Sequence, residues 1–117
     1  MIFSDAAAAR VELAPAAALF RSLGDPVRLA ILRRLATGEG RVVDLVTELG
    51  LAQSTVSKHL SCLRDCGLVD SRAVGRASVF TVTESALVDL LAAAENVLAA
   101  TGSAVALCPN YGDEATA

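Results

Sequence analysis

The stretch LGLAQSTVSKHLSCLRDCGLV, residues 49 to 69, decides the fold of this chain. It holds a helix-like segment over residues 53 to 66, separated by three residues from a shorter one over residues 42 to 49. One of the three is Gly50, and glycine suits the left-handed position that ends a helix. Two helices joined by a turn of about three or four residues form a helix-turn-helix, whose second helix enters the major groove of DNA.

Glycines also divide the rest of the chain. Each follows a helix-like segment, and they are Gly24, Gly38, Gly50, Gly67 and Gly102. We therefore expect five helices, over residues 6 or 15 to 23, 26 to 37, 42 to 49, 53 to 66 and 84 to 102. Asp25 is the expected N-cap of the second, with Pro26 at its first position, where a missing N–H is tolerated.

A β-hairpin is expected directly after the helix-turn-helix. Residues 69 to 74 and 77 to 83 have β-type composition, and Gly75-Arg76 forms a two-residue turn between them. Further on, an apolar stripe at helical spacing marks the last helix, and Asp89, Glu95 and Asn96 are expected to lie away from it.

These elements predict a mainly α fold with a small β-hairpin, a winged helix-turn-helix in a single domain over residues 1 to 117. We expect an N-terminal dimerisation helix in residues 1 to 24, the helix-turn-helix and wing in 25 to 83, a C-terminal dimerisation helix in 84 to 102 and an irregular tail in 103 to 117. The terminal helices are apolar and have no other evident core to cover. The sequence therefore predicts a homodimer through them, with recognition helices on two DNA half-sites.

The composition favours closely packed helices, and the distribution of charge is compatible with DNA binding. Of 117 residues, 54% are hydrophobic and only 3% aromatic, which favours a core of alanine, leucine and valine. The net charge is −3, yet residues 25 to 83 hold eight basic and six acidic residues, whereas residues 84 to 117 hold five acidic and no basic ones. An acidic total does not exclude DNA binding, because a local basic patch is what attracts phosphate.

Several classes of protein are not expected. Three cysteines cannot all pair within one chain, and the N-terminus lacks a basic segment followed by an apolar one, so we expect a cytoplasmic protein with reduced thiols. No run has the length and hydrophobicity of a membrane span. One histidine, no glycine-rich phosphate loop and no acid-base cluster argue against an enzyme.

The second helix of the pair has one face for the core and one for DNA. Val56, Leu60 and Leu63 share the core face, and short polar side chains with one lysine lie opposite. An ordinary solvated face is the alternative, but the helix-turn-helix context favours phosphate and base contacts. The predicted DNA-binding residues are Gln53, Ser54, Thr55, Ser57, Lys58, His59 and Arg76, the last at the tip of the hairpin. The role of Arg72 stays open, as does that of His59, which could also bind a metal or pack.

The same helix carries two cysteines. Cys62 and Cys66 are four residues apart, so their side chains share one face about a quarter turn from the core stripe. Two sulfurs at this spacing can bind one large soft ion, and Cys108 in the tail is a candidate third ligand. Simple packing of small apolar side chains is the alternative for the pair.

Three runs resemble the ArsR/SmtB family of metal-responsive repressors across nearly the whole chain: LFRSLGDPVRLAILRRL, LGLAQSTVSKHLSCLRDCGLV and VGRASVFTVT. The segment LSCLRDCGLV with a late cysteine is similar to the CmtR-like branch, which senses cadmium and lead. The resemblance implies Cys62, Cys66 and Cys108 as metal ligands, Cd(II) or Pb(II) as inducer, and As(III) as a further possibility. It also implies an apo homodimer on double-stranded operator DNA that the metal releases.

Other sensing sites of the family are absent from this sequence. Val42 and Val43 stand where some members have a Cys-x-Cys on the third helix, and the last helix lacks histidine. Two rival interpretations remain. Cys62 and Cys66 could form a redox switch, although a disulfide at this spacing strains a helix, or the chain could bind DNA constitutively with cysteines that only pack.

Overall fold

A computed structural model describes residues 3 to 103 and residue 107, with side chains from residue 6 onward. Its elements, in chain order, are α1 (Phe3–Leu23), α2 (Pro26–Leu35), β1 (Gly40–Arg41), α3 (Val42–Leu49), α4 (Gln53–Asp65), β2 (Val69–Val74), β3 (Ala77–Val82) and α5 (Ser85–Ala100). The five expected helices and the hairpin are all present. The tail expected over residues 103 to 117 lies almost wholly outside the described residues.

Local signals set the helix-turn-helix as the sequence predicts. The Asp25 carboxylate accepts hydrogen bonds from the backbone N–H groups of Val27 (2.8 Å) and Arg28 (3.1 Å), which caps α2. Between α3 and α4, Gly50 adopts φ 67° and ψ 35°, a left-handed conformation that a side chain would strain. Gly50 therefore ends α3 and starts the three-residue turn to α4. The helices α3 and α4 pack against each other and against α2.

The helix ends differ in detail from the prediction. The first helix begins at Phe3, so Pro15 lies inside α1 rather than at its start. A proline interrupts one helical hydrogen bond, but alanine-rich sequence on both sides favours continuing the helix. α2 ends at Leu35 instead of residue 37, and α4 ends at Asp65, with Cys66 as its C-cap.

The wing is a three-stranded sheet and not a hairpin alone. β3 lies between β1 and β2, and both pairings are antiparallel. β1 spans only two residues, in which Gly40 pairs with Phe80 and Arg41 with Val79. A strand that short has no alternating pattern, which is why the sequence did not predict it.

The core is aliphatic and lies where the helices of the helix-turn-helix meet the sheet. Its most deeply buried side chains come from α2, α3, α4 and β2, and they are Ile31, Leu32, Leu45, Val56, Leu60, Leu63 and Val69. Phe80 of β3 and Leu87 and Leu91 of α5 complete the same cluster.

One expectation about α5 is wrong. Glu95 was expected to lie away from the apolar stripe, but it is only 7% exposed. Its carboxylate accepts a hydrogen bond from the backbone N–H of Leu107, beyond the end of the helix. A buried carboxylate needs such partners, so a contact distant in sequence places Glu95 inside.

In the described part of the chain, no helix is long and apolar enough to cross a membrane.

Candidate nucleic-acid interface and thiol site

Helix α4 buries the core stripe that the sequence predicts. Val56, Leu60 and Leu63 are 0%, 1% and 0% exposed and anchor the helix in the core. No side chain caps its first turn at Ala52. The first amide groups of α4 therefore keep their hydrogen-bonding capacity for an anion such as a DNA phosphate.

The predicted DNA-binding residues lie in the first half of α4 and at the tip of the wing. Gln53, Ser54 and Lys58 are exposed on the helix, and Arg76 is exposed in the turn between β2 and β3. Thr55, Ser57 and His59 are half-buried. The candidate interface thus has two exposed parts, the first half of α4 and the tip of the wing.

The basic residues divide into those already paired and those that are available. Arg72 donates two hydrogen bonds to Glu39, at 2.7 and 3.1 Å, and so ties the wing to the segment before β1. Arg41 pairs with Asp44 at the start of α3, at 3.1 Å. In the part of the chain that the structure describes, Lys58 and Arg76 form no ion pair. These two cations are the better candidates for phosphate contacts.

The only histidine contacts α2. Nε of Arg28 donates to Nδ1 of His59 over 3.2 Å, and His59 is half-buried. Because Nδ1 accepts this bond, the neutral imidazole carries its proton on Nε2. His59 therefore connects α2 to α4 through one ring nitrogen and keeps the other as a donor.

The two described cysteines lie at the end of α4. Cys62 is half-buried and Cys66 is exposed, and both are thiols. The N–H of Cys66 donates to the carbonyl of Cys62 over 3.0 Å, so helical geometry extends across the pair. Helical neighbours at this spacing have Cβ atoms about 5 to 6 Å apart, within reach of one large ion but beyond the usual Cβ separation of a disulfide.

The donor set suits a soft metal ion, and within the described residues it consists of two thiols. Among residues 3 to 103 and 107, no group of three or more His, Cys, Asp or Glu side chains is placed to hold a metal. The third predicted ligand, Cys108, lies outside the described residues. Thiolates select soft ions, so Cys62 and Cys66 fit two positions of such a site.

Two residues at these sites were not predicted from the sequence. Arg28 contacts His59 from α2, and the Ser22 hydroxyl lies 3.1 Å from Sγ of Cys66. The partners are 31 and 44 residues apart in sequence, and no local pattern marks them. Only the packing of α1 and α2 against α4 brings them together.

The terminal helices form an apolar groove of about 490 Å³. Its lining comes from α1, α2, α5 and Leu107, and includes Phe20, Leu23, Leu29, Leu90, Val97 and Leu98. Phe20 is 60% exposed and Val97 is 63% exposed. Two large apolar side chains at one groove mark a surface suited to an interface.

Comparison with known proteins gives the family. Residues 25 to 71 match the family described as bacterial regulatory protein, arsR family. The chain is 36% identical over 101 residues to a probable mercury resistance operon repressor of Streptomyces lividans, covering 84% of this chain and 81% of that protein. It is 45% identical over 71 residues to the transcriptional regulator CmtR of Mycobacterium tuberculosis, covering 61% of this chain and 60% of CmtR.

A solved structure shows the same architecture. The homodimeric winged helix-turn-helix DNA-binding domain of a possible ArsR-family regulator from Mycobacterium bovis has a TM-score of 0.69 and 30% identity, and the match covers 74% of this chain and 81% of that one. The relative is named as a winged helix-turn-helix domain, the same arrangement that α3, α4 and the wing form in this chain. The chain therefore belongs to the arsR family of bacterial regulatory proteins, which are DNA-binding transcriptional regulators and not enzymes.

Proposed function

We propose that the chain is a metal-sensing repressor of the cytoplasm. It binds double-stranded operator DNA as an apo homodimer and is released when Cd(II) or Pb(II) binds Cys62, Cys66 and Cys108. The observation that carries this proposal is that the predicted DNA-binding residues of α4 and the two thiols lie on one helix and its C-cap. Cys62 lies eight positions after Ser54, which is about 12 Å along a helix.

A rigid element common to both sites allows one to bias the other. α4 is one continuous helix held in the core by three side chains that are at most 1% exposed, so a shift of its last turn is expected to displace its first half as well. Coordination of one ion by the thiols at the end of α4 and by a third thiolate would favour the orientation of α4 that suits the metal. The orientation that places α4 in two adjacent major grooves of DNA would become less favourable. With a coupling of about 1 to 3 kcal/mol, operator affinity falls roughly 5- to 150-fold, and DNA weakens metal binding by the same factor.

Dimerisation supports the same mechanism. The apolar groove of the terminal helices is suited to a second copy of the chain, and the Mycobacterium bovis relative is named as homodimeric. A two-fold dimer presents two α4 helices to half-sites about one helical turn of DNA apart. A change in the orientation of α4 then weakens DNA contacts in both half-sites, so the loss of binding free energy is doubled.

The test is DNA binding with and without metal. A duplex selected by the apo protein from a random-sequence pool is titrated by fluorescence anisotropy, at fixed salt and under anaerobic reducing conditions, with and without stoichiometric Cd(II) or Pb(II). We expect Cd(II) to weaken binding at least fivefold and to give a sulfur-to-metal absorption band, and we expect Cys62→Ser and Cys108→Ser each to abolish the release. Tight DNA binding that ignores Cd(II), Pb(II) and As(III) would contradict the proposal.

A mercury response is the second candidate, and the Streptomyces lividans relative, a probable mercury resistance operon repressor, favours it. Hg(II) is a soft ion that two thiolates can hold, so Cys62 and Cys66 would suffice. Cys108→Ser separates the two candidates. It should abolish release by Cd(II) and by As(III), which also uses three sulfurs, but leave release by Hg(II) intact.

A redox switch is the remaining rival. The intact helical hydrogen bond between Cys66 and Cys62 means that a disulfide requires the last turn of α4 to open. Such a switch would respond to peroxide, would tolerate Cys108→Ser and would need no metal. Release by Cd(II) in the presence of excess reductant excludes it.

A further inference from the structure

We propose that Ser22 of α1 is a positioning residue for Cys66, donating a hydrogen bond to its sulfur when that sulfur binds the metal. This inference rests on the proposed function, because it concerns one of the ligands named there. None of the sequence patterns pointed to Ser22, and its role is visible only in the contact between α1 and the end of α4.

The contact is a buried one. Ser22 is 6% exposed, and its Oγ lies 3.1 Å from Sγ of Cys66. A buried hydroxyl requires a hydrogen-bond partner, and the Cys66 sulfur is placed to be that partner. Cys66 itself is exposed, so one side of its sulfur faces Ser22 while the residue stays accessible to an incoming ion.

The direction of the hydrogen bond follows from the chemistry of the ligand. Either atom can donate while Cys66 is a thiol. A metal-bound sulfur is a thiolate and has no proton, so the hydroxyl of Ser22 must then be the donor. A hydrogen bond to a charged sulfur is stronger than one to a neutral thiol, and it fixes the direction of the remaining lone pairs.

Cys62 differs from Cys66 in this respect. Within the described residues its sulfur makes no hydrogen bond, although it lies on the same helix one turn earlier. The cleft of about 150 Å³ beside Cys66 is otherwise apolar and is lined by Pro15, Ala18, Leu19 and Leu68. Within the described residues, Ser22 thus supplies the hydrogen bond from α1 to Cys66 and leaves Cys62 without one.

The decisive measurement is Cd(II) affinity, by competition with a chelator and followed by the sulfur-to-metal absorption band. Outer groups that hold a metal ligand typically contribute about 10- to 100-fold in metal affinity. We expect Ser22→Ala to lower Cd(II) affinity about tenfold or more, and Ser22→Thr, which keeps the hydroxyl, to stay within about threefold of the wild type. Ser85→Ala, an exposed serine on α5, is the matched control and should change nothing.

A double-mutant cycle and a metal-free readout separate positioning from a general effect on folding. In a Cys66→Ser background, Ser22→Ala should lower Cd(II) affinity no further, because the two changes remove one interaction. In the metal-free protein, Ser22→Ala should shift the ¹³Cβ resonance of Cys66 and leave that of Cys62 in place. Thermal unfolding of each variant verifies that it is folded.

The possible failures are distinguishable. If the wild type binds Cd(II) and releases DNA, but Ser22→Ala binds Cd(II) within twofold of the wild type, the positioning role is wrong and the proposed function stands. If the loss of affinity is the same in the Cys66→Ser background, Ser22 acts on the fold and not on the ligand. A wild type that binds no Cd(II) overturns both proposals.

Discussion

Nε of Arg28 lies 3.2 Å from Nδ1 of His59 and links the first turn of α2 to the middle of α4. Asp25 adjoins the same pair, since it caps α2 through the N–H of Arg28, 3.1 Å away. The pKa of Asp25 lies below its ordinary value, chiefly because its carboxylate accepts that N–H. The start of α2 and the middle of α4 are therefore connected by two successive hydrogen bonds.

We predict that Arg28→Ala weakens operator binding by about three- to tenfold, as expected for the loss of one hydrogen bond between polar side chains. The physical reason is that the His59 side chain of α4 loses its hydrogen bond to α2, so fixing this side chain on DNA binding costs free energy. Anisotropy titrations at several salt concentrations test this. Since Arg28 acts through His59 and not on a phosphate, the slope of log affinity against log salt should stay as in the wild type.

The control is Arg10→Ala, which removes an equal charge from an exposed position on α1. Its affinity should remain close to that of the wild type. A slope that becomes shallower by about 0.9 in Arg28→Ala would show instead that Arg28 contacts a phosphate directly.

The second prediction compares two arginines of the wing. Arg76→Ala should weaken binding to all duplexes and reduce the salt slope by about 0.9, because Arg76 is exposed in the turn and has no ion pair in the described chain. Lys58→Ala on α4 should behave in the same way.

Arg72→Ala is the matched comparison for Arg76. Arg72 is committed to Glu39 by two hydrogen bonds, so its loss should leave the salt slope unchanged. The pair is exposed, with side chains 57% and 50% accessible, and its contribution to the free energy of unfolding should stay below about 1 kcal/mol. Equal salt slopes for the two variants would contradict this division of roles.

The third prediction concerns acid stability. The pKa of Asp25 is lowered from 3.8 in the folded protein, so its carboxylate stabilises the fold above that value, and this contribution is lost as pH falls through the lowered pKa. Asp25→Asn keeps an N-cap acceptor but cannot titrate. The difference in Tm between wild type and Asp25→Asn should therefore shrink or reverse as the pH falls from 7 to below about 4.

Asp44 is a second carboxylate that contributes to acid stability. Its pKa is also lowered, mainly by the hydrogen bond from the Arg41 side chain, so Asp44→Asn should remove part of the same pH dependence. A wild-type Tm that falls with acid no faster than that of an Asp25→Asn, Asp44→Asn double variant would exclude both carboxylates as the source.

Much of this architecture could be predicted because single residues set its boundaries. Asp25 caps α2, Gly50 ends α3, and Gly75 allows the turn of the wing with φ 62°. These are local effects that do not depend on the rest of the fold. The core stripe of α4 follows from helical periodicity alone, and its burial confirms it.

What could not be predicted depends on tertiary contacts. Burial of Glu95 requires Leu107 to return to α5, and the pairing of β1 requires β3 beside it. The sequence does not reveal that Arg72 has a partner, and only the fold shows its ion pair with Glu39. At the candidate sites, the sequence identified the two thiols and the residues predicted to bind DNA, whereas the contacts of Ser22 and Arg28 needed the folded chain.

The last prediction tests the dimer. Phe20→Asp places a charge at a side chain that is 60% exposed on the apolar groove, and Val97→Asp does the same from α5 at 63% exposure. If the groove is covered by a second copy, burying either carboxylate is costly and the dimer should dissociate at micromolar concentration. Val43→Asp is the matched control, since Val43 is 55% exposed on α3 and does not line that groove. Sedimentation equilibrium should give a dimer for the wild type and Val43→Asp and a monomer for Phe20→Asp and Val97→Asp.

The DNA affinity of the monomeric variants should fall about tenfold or more, because the second half-site no longer binds at high effective concentration. A wild type that is monomeric at all concentrations, or a Phe20→Asp variant that remains dimeric, would mean that the terminal helices do not form the interface.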